Sequence, residues 1–195
     1  MPNATRARLI GMSGSLRTGS YSGAVLTTLG EKFANRADLR IYDLAAIPPY
    51  DEDCGSDNLP APVRELLSAI AEADGVVLCP PEFNHGMPGV LKNALDWASP
   101  STSASVLAYK PVAIMTATRA ALGGARCLDH LRAVLGAMMA RVILAPEVII
   151  TSVHDKVREG RLVDETSLGF ASGAVETLLS EIQLWKSAET SKGFI

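Results

Sequence analysis

Residues 8–21 read RLIGMSGSLRTGSY, and this stretch decides the predicted fold. Its first five residues form a short apolar run typical of a strand, and a loop rich in serine and glycine follows. A helical pattern then continues to about residue 36. Because the same succession of strand and longer helix recurs along the chain, we predict an α/β fold with a parallel sheet covered by helices on both faces.

The rest of the chain supplies four more strand patterns and the helical patterns between them. The predicted strands are 39–44, 75–79, 111–116 and 142–150, and the predicted helices are 62–73, 88–99, one after the glycine pair 123–124, and 164–185. Residues 154–161 are charged and are predicted to form a loop. Five strands favour a flavodoxin-like three-layer sandwich of order 2-1-3-4-5 over a six-stranded dinucleotide fold, which needs roughly another strand and helix. We see no repeat or linker, so residues 1–195 are predicted to be one domain.

Composition excludes several classes of protein. The 195 residues are 48% apolar and carry a formal net charge of −3, which argues against disorder and against a basic nucleic-acid surface. No apolar stretch approaches the roughly 20 residues of a membrane helix, and the N-terminus has no signal-type apolar region. The three cysteines are scattered, without disulfide or zinc spacing. We therefore expect a cytoplasmic protein with no metal, no membrane partner and no nucleic-acid partner.

The loop after the first strand has the composition of a phosphate site. In a sheet of this kind, ligands bind beyond the carboxyl ends of the strands where the strand order reverses, and the loops after strands one, three and four meet there. Residues 13–20, SGSLRTGS, combine two glycines, four hydroxyls and Arg17 before a helix N-terminus. The loop is neither GxGxxG nor a Walker motif, so nucleotide triphosphate hydrolysis is disfavoured. A serine-capped turn without a ligand is the alternative.

The loop after the third strand, PPEFNHGMPG at residues 80–89, is stiffened by prolines and opened by glycines. Phe83 and Asn84 are suited to line one edge of a planar ligand, although a simple turn before a helix explains the composition equally well. Glu82 and His85 are candidates for proton delivery. A single loop histidine without a visible partner is more often a surface residue, so we assign no catalytic side chain.

The loop after the fourth strand, TATRAALGGAR at residues 116–126, places hydroxyls at a strand end and paired glycines at a helix start. Backbone N–H groups at such a start are able to meet electron-rich oxygens. An ordinary glycine-containing loop is somewhat favoured when this segment is considered alone.

Two motifs resemble the NADPH-dependent FMN reductase family. They are SGSLR-x-GS at residues 13–20 and PEFNHGMPGVLKNALDWAS at residues 81–99, and GGAR at 123–126 and APEV at 145–148 extend the resemblance over most of the chain. The family includes quinone, chromate and azo-dye reductases of flavodoxin-like fold. The resemblance implies bound FMN, with NADPH or NADH as co-substrate. Hydride would then pass through the flavin to free flavin, a quinone, a metal oxyanion or an azo compound, and no side chain needs to act as acid or base.

The resemblance also implies which residues bind FMN. Ser13, Ser15, Arg17 and Ser20 match positions that hold the phosphate, with Leu16 and Tyr21 beside them, and residues 81–84 match the loop that borders the ring. Three features depart from the family pattern: Ser22 stands where asparagine is common, Phe83 replaces tyrosine, and the third loop lacks the usual serine/glycine-rich start. The predicted flavin-binding residues are Ser13, Ser15, Leu16, Arg17, Ser20, Tyr21, Ser22, Pro81, Glu82, Phe83, Asn84, Gly86, Thr116 and Thr118.

The family resemblance implies a homodimer or homotetramer. We expect the helix over residues 88–99, which carries Trp97, to lie partly at a two-fold interface. Two alternatives to an enzyme remain open at this point: a flavodoxin-like electron carrier, and an FMN-binding module without turnover. A carrier usually has a strongly acidic face, which a net charge of −3 spread along the chain does not supply.

Overall fold

The computed structural model describes residues 6–55, 58–99 and 105–192. Its strands are β1 Ala7–Met12, β2 Ala37–Ile41, β3 Gly75–Leu78, β4 Pro111–Ile114, β5 Thr116–Ala117, β6 Arg141–Val142, β7 Ile149–Ile150, β8 Val157–Arg158 and β9 Arg161–Leu162. The main sheet has five strands in the order β2-β1-β3-β4-β6, and all of its pairings are parallel. Because β6 is the fifth strand of this sheet along the chain, the predicted order 2-1-3-4-5 is confirmed.

Helices cover both faces of the sheet. Their bounds are α1 Tyr21–Lys32, α2 Ala61–Glu72, α3 Gly89–Trp97, α4 Ala125–Ala137, α5 Val153–Lys156 and α6 Glu165–Lys192, with a short 3₁₀ helix at Glu52–Cys54. One buried apolar cluster contains side chains of α2, α3 and α4, and a second contains side chains of α1 and α6. Side chains of β3 contribute to the two clusters in turn, with Val76 and Leu78 in the first cluster and Val77 in the second. This alternation arises because successive side chains of a strand point to opposite faces of the sheet. The three-layer α/β prediction is confirmed.

Two predicted strands are each divided in the structure. The run 111–116 becomes β4 and β5, and the run 142–150 becomes β6 and β7, which pairs in parallel with β5. The ladder is held by Ile143 N–H to Val112 O before the break and by Thr116 N–H to Val148 O after it. Between the paired positions, residues 113–115 face the longer segment 143–148, so the register shifts across the break. Pro146, which has no N–H to donate, lies in the longer segment.

The charged stretch 154–161 is not the loop that was predicted. It contains most of α5 and a hairpin of β8 and β9 joined by Glu159 and Gly160, whose φ angles are 47° and 73°. Two left-handed residues are what a tight two-residue hairpin turn needs, and charged side chains on short exposed strands hide the alternation that would have indicated them. Among the described helices, none combines the length and apolar character needed to cross a membrane.

Trp97 is used inside the protomer. Its side chain is only 3% exposed, its indole N–H donates to Pro48 O at 2.9 Å, and its ring lies edge-on to Tyr50 with the centroids 5.0 Å apart. Trp97 therefore holds the connection after β2 against α3, and it is not available as an exposed anchor for a second copy.

Candidate functional site

The first loop, residues 13–20, is packed tightly against α3. It leaves the carboxyl end of β1 with Ser13 buried and Gly14 at φ 67°. A Cβ atom on Gly14 would lie 2.8 Å from Leu91 Cβ, which is closer than real Cβ atoms approach. Positive φ and lack of space both require glycine at this position, and the backbone of the loop packs directly against α3 there.

Two serine hydroxyls in this loop each accept a backbone hydrogen bond. Ser13 Oγ accepts from Ser15 N–H at 3.2 Å, and Ser20 Oγ caps α1 by accepting from Gly23 N–H at 3.0 Å. A hydroxyl that accepts in this way keeps its own hydrogen for donation. Both serines therefore remain donors toward an anion placed above the loop.

The backbone adds further donors. Within the described chain, the N–H groups of residues 16–19 make no hydrogen bond, and those of Tyr21 and Ser22 belong to the open first turn of α1. Arg17 is exposed and its guanidinium carbon lies 5.6 Å from the centre of the Tyr21 ring. N–H groups, hydroxyls and one guanidinium form the donor set that a phosphate monoester takes, so the loop fits the phosphate of FMN.

The second loop, residues 80–89, contains a tight turn. Phe83 and Gly86 exchange both backbone hydrogen bonds, at 2.9 and 3.0 Å, and enclose Asn84 and His85 at φ 48° and 64°. Phe83 stands at the base of this turn, and 52% of its surface is exposed to solvent. A Cβ on Gly86 would lie 3.0 Å from His130 Nδ1, so the close approach at this glycine is to His130.

Glu82 is an ionised cap on another element. Its Oε2 accepts from Gly124 N–H at 2.8 Å and from Cys127 N–H at 3.1 Å, at the N-terminus of α4. Burial raises the pKa of Glu82, but the two N–H donors, together with His85 at 3.6 Å, outweigh it and hold the pKa below its ordinary value. The N–H groups near the glycine pair of the third loop were expected to contact an electron-rich oxygen. That oxygen is Oε2 of Glu82, a side chain of the protein itself. Glu82 carries no proton to deliver near neutral pH.

His85 is not alone on the turn. Arg126 Nη1 lies 2.5 Å from its Nδ1, and Glu82 Oε1 lies 3.6 Å from the same nitrogen. The His85 side chain is nevertheless 69% exposed. The sequence interpretation missed Arg126 because it lies at the start of α4, 41 residues along the chain, and Glu82, although in the same loop, was considered only as a separate candidate.

In the third loop, residues 116–126, the two threonines predicted to bind the flavin are both buried. Thr116 is fully buried, and its Oγ1 has no hydrogen-bond partner in the part of the chain that the structure describes. Thr118 is also buried, and its Oγ1 accepts from Ala120 N–H at 3.2 Å. Between them and the helix, Gly124 has a φ of 103°, and a Cβ there would collide with Thr116 Oγ1.

The three loops converge on one cleft of about 170 Å³, called here the inner cleft. It is lined by Ser15, Arg17, Tyr21 and Ser22 of the first segment, Pro81, Glu82 and Phe83 of the second, Ala117, Thr118 and Arg119 of the third, and Val153. A wider outer cleft of about 630 Å³ continues from it across Arg17 and Tyr21, over Ser20, toward Glu159 of the β8–β9 turn. The inner cleft lies where β1 and β3 are neighbours and the chain order reverses, as the topology predicts.

Six predicted site residues lie outside the inner cleft lining. Ser13 and Thr116 are buried, Leu16 and Asn84 are exposed, Ser20 lines the outer cleft, and Gly86 closes the Phe83 turn. Three lining residues, Ala117, Arg119 and Val153, were not among the predicted site residues. Ala117 and Arg119 lie in the third loop, and the apolar side chains of Ala117 and Val153 carry no chemical signal.

The parallel sheet and its reversal point define a flavodoxin-like protein, and the loop at that point carries the donors that an anion requires. A family model described as NADPH-dependent FMN reductase matches residues 7–155. A quinone reductase of Escherichia coli (strain K12) is 36% identical over 182 residues, 91% of this chain and 96% of that protein. The chain belongs to the NADPH-dependent FMN reductase family.

Two further proteins are similar over most of their length. An NAD(P)H-dependent FMN reductase of Pseudomonas aeruginosa is 35% identical over 179 residues, 91% of this chain and 94% of that protein. The solved structure of a flavoenzyme NAD(P)H:(acceptor) oxidoreductase from Paracoccus denitrificans superposes with a TM-score of 0.80 at 26% identity, covering 91% of this chain and 97% of that one.

Proposed function

We propose that this protein is an FMN-dependent NAD(P)H oxidoreductase that reduces small acceptors, quinones first among them. The observation that carries the proposal is the inner cleft, where three loops meet beside a set of phosphate donors. The family, and the similarity to a quinone reductase along nearly the whole chain, support the same activity.

The first loop is assigned to the phosphate of FMN. Arg17 supplies the positive charge, Ser13 and Ser20 supply hydroxyl donors, and the N–H groups around the start of α1 supply the rest. The second loop is assigned to the ring, with Pro81 and the half-exposed Phe83 as its apolar border. When bound, FMN accepts hydride from the nicotinamide cofactor and passes the electrons on to the acceptor.

The protein contributes position and charge rather than a proton donor. Glu82 is ionised and already accepts two N–H groups, and His85 is exposed to solvent beside Arg126. Neither group is therefore arranged as a general acid. The hydroxyls of the third loop do not fill the role either, because Thr116 is fully buried and Thr118, buried on the cleft wall, accepts from Ala120 N–H.

The acceptor is proposed to be planar and weakly polar, as a quinone is. Phe83 stands 52% exposed on the rim of the cleft, so an aromatic surface is available for stacking. The protein is further proposed to be a single FMN-binding domain over residues 1–195 and a cytoplasmic homodimer or homotetramer. All three cysteines are free thiols, which suits a reducing compartment.

The experiment is an anaerobic titration of the FMN-loaded protein with NADPH and with NADH, followed by steady-state oxidation with menadione, chromate or an azo dye. We expect bleaching of the bound flavin and turnover that depends on the added acceptor. Bound FMN that neither nicotinamide cofactor reduces would contradict the enzyme assignment and favour the electron-carrier alternative. An unrelated protein pre-incubated with FMN gives the background of free flavin.

A further inference from the structure

Arg119 lines the inner cleft and is not among the residues assigned to FMN. Its side chain is exposed, and it makes no hydrogen bond, ion pair or ring contact within the described residues. Neighbouring arginines are engaged: Arg17 faces the Tyr21 ring, and Arg126 contacts His85. An arginine held beside a ligand cleft with no partner of its own leaves five N–H donors unsatisfied by protein.

The backbone on both sides of Arg119 is held in place. Thr118 N–H donates to Ile150 O at 2.9 Å, and Thr118 O accepts from Val153 N–H at 3.0 Å. Ala120 O then accepts from Ser152 N–H at 3.2 Å. The guanidinium therefore extends from a rigid point on the cleft wall, which reduces the entropy lost when it binds an anion.

The charges around the cleft leave it positive. Glu82 is the acidic residue in the inner lining, and its carboxylate is already shared between two N–H groups of α4 and His85. Glu159 lines the outer cleft and not the inner one. Two guanidinium groups, those of Arg17 and Arg119, therefore line the cleft. Only one phosphate, that of FMN, has been assigned, and it is bound by the first loop.

We infer that Arg119 binds a phosphate group of the nicotinamide cofactor when that cofactor enters the inner cleft as the hydride donor. The inference rests on the proposed function, since it assigns a residue to the co-substrate of that reaction. The loop of residues 13–20 is assigned to the FMN phosphate. Arg119 is therefore free to bind a second anion, one that enters the cleft after FMN has bound. The pyrophosphate and the 2′-phosphate offer the same chemistry, and the donors used in the test separate them.

The test compares Arg119→Ala and Arg119→Lys with Arg40→Ala. Arg40 is exposed on β2, outside both clefts, so Arg40→Ala and Arg119→Ala each change the formal net charge from −3 to −4. FMN affinity is measured first and is expected to be unchanged in all three variants. Binding of NADP⁺ and NAD⁺ to the oxidised holoprotein is then measured by calorimetry, and flavin reduction by NADPH, NADH and the uncharged donor 1-benzyl-1,4-dihydronicotinamide by anaerobic stopped flow.

For Arg119→Ala we expect binding of NADP⁺ to weaken by roughly 10- to 100-fold, the scale of one lost charge-assisted contact. Reduction by the uncharged donor should stay within about twofold of wild type, as expected when only a remote phosphate contact is removed. Arg119→Lys should recover part of the affinity, and Arg40→Ala should match wild type. A loss for NADPH alone identifies the 2′-phosphate, and an equal loss for NADPH and NADH identifies the pyrophosphate.

Three results would overturn the inference: unchanged binding of both dinucleotides to Arg119→Ala, an equal loss with the uncharged donor, or weakened FMN binding. These failures are separate from failure of the proposed function. If the wild-type holoprotein is not reduced by either dinucleotide, the proposed function is wrong. If the wild type is reduced normally and Arg119→Ala behaves like it, only the role of Arg119 is wrong.

Discussion

Arg17 lines both clefts and is the one cation in the first loop. If it neutralises the FMN phosphate, Arg17→Ala should weaken FMN binding by about 1.5–3 kcal/mol, the scale of a hydrogen bond to a charged group. Riboflavin has no phosphate, so its affinity should hardly change. Fluorescence titration of the apoprotein with both flavins checks this, with Arg40→Ala as a control of equal charge change. Equal losses for FMN and riboflavin would show that Arg17 acts on the loop and not on the phosphate.

Glu82 and His85 are the ionisable side chains of the second loop, and neither is arranged as an acid. A true general acid contributes about 10²–10⁴-fold to a rate. We therefore expect Glu82→Gln and His85→Asn each to lower turnover by less than about tenfold. The measurement is single-turnover flavin reduction and reoxidation at checked FMN occupancy. A hundredfold loss in either variant at full occupancy would restore that residue as a proton donor.

Glu82 should also make stability depend on pH. Its pKa is below the ordinary 4.5 in the fold, so its contribution is present above pH 4.5 and is lost as the pH falls through the lower folded value. Glu82→Gln keeps the shape but removes the charge at the start of α4. We expect it to lower the free energy of unfolding by about 1 kcal/mol at pH 7, and the difference to shrink in acid.

Urea unfolding of the apoprotein at several pH values measures this difference. Asp38→Asn is the control, because it removes one carboxylate charge from an exposed residue of β2, away from the start of α4. A difference between wild type and Glu82→Gln that stays constant across the acid range would mean that the carboxylate is not the group being titrated.

At the scale of elements, the junction between the first loop and α3 depends on one missing side chain. Gly14→Ala places a Cβ 2.8 Å from Leu91 Cβ at a φ of 67°, so both strain and overlap oppose it. We expect a loss of roughly 2–4 kcal/mol in unfolding free energy and weaker FMN binding. Gly19→Ala, in the same loop with nothing within 4 Å, should be close to neutral. Similar behaviour of the two variants in thermal unfolding would refute the tight packing of this loop.

The elements could be predicted to different degrees. Strand β3 is an apolar run bounded by glycine and proline, and α3 follows a proline with an apolar stripe, so both are found from local pattern. The division at Met115 and the β8–β9 hairpin are too short to carry a period. The Glu82 cap was out of reach for another reason: its partner Gly124 is 42 residues away, and no local signal marks a carboxylate that will cap a distant helix.

For the whole molecule, the order of the strands alone predicts where the site lies, without knowledge of any side-chain position. The reversal between β1 and β3 sets which loops meet, so convergence of the three loops on one cleft was predictable from topology. The distribution of residues within that cleft was not. Burial of Thr116 depends on the close approach of the third loop at Gly124, which is a packing contact and not a motif.

Assembly is the prediction that belongs to this scale. Leu122 and Leu144, in loops after β5 and β6, are each 96% exposed, and we expect a second copy to cover them in the proposed assembly. We expect light scattering to give two or four times 20.6 kDa, and Leu122→Asp with Leu144→Asp to lower that mass. Leu184→Asp, at a 64% exposed leucine of α6, is the control. A mass of 20.6 kDa for the wild type at micromolar concentration would contradict the proposed assembly.

The third loop is fastened at both ends and free between them. Ala120 O is bonded to Ser152 N–H, Gly124 N–H is bonded to Glu82, and the residues between reach solvent, with Leu122 almost wholly exposed. Loop-closure entropy rises slowly with length, so segments of different length and composition fit between the same two anchors. We therefore expect segments of other lengths and sequences to replace residues 121–123 while the fold and the inner cleft stay unchanged.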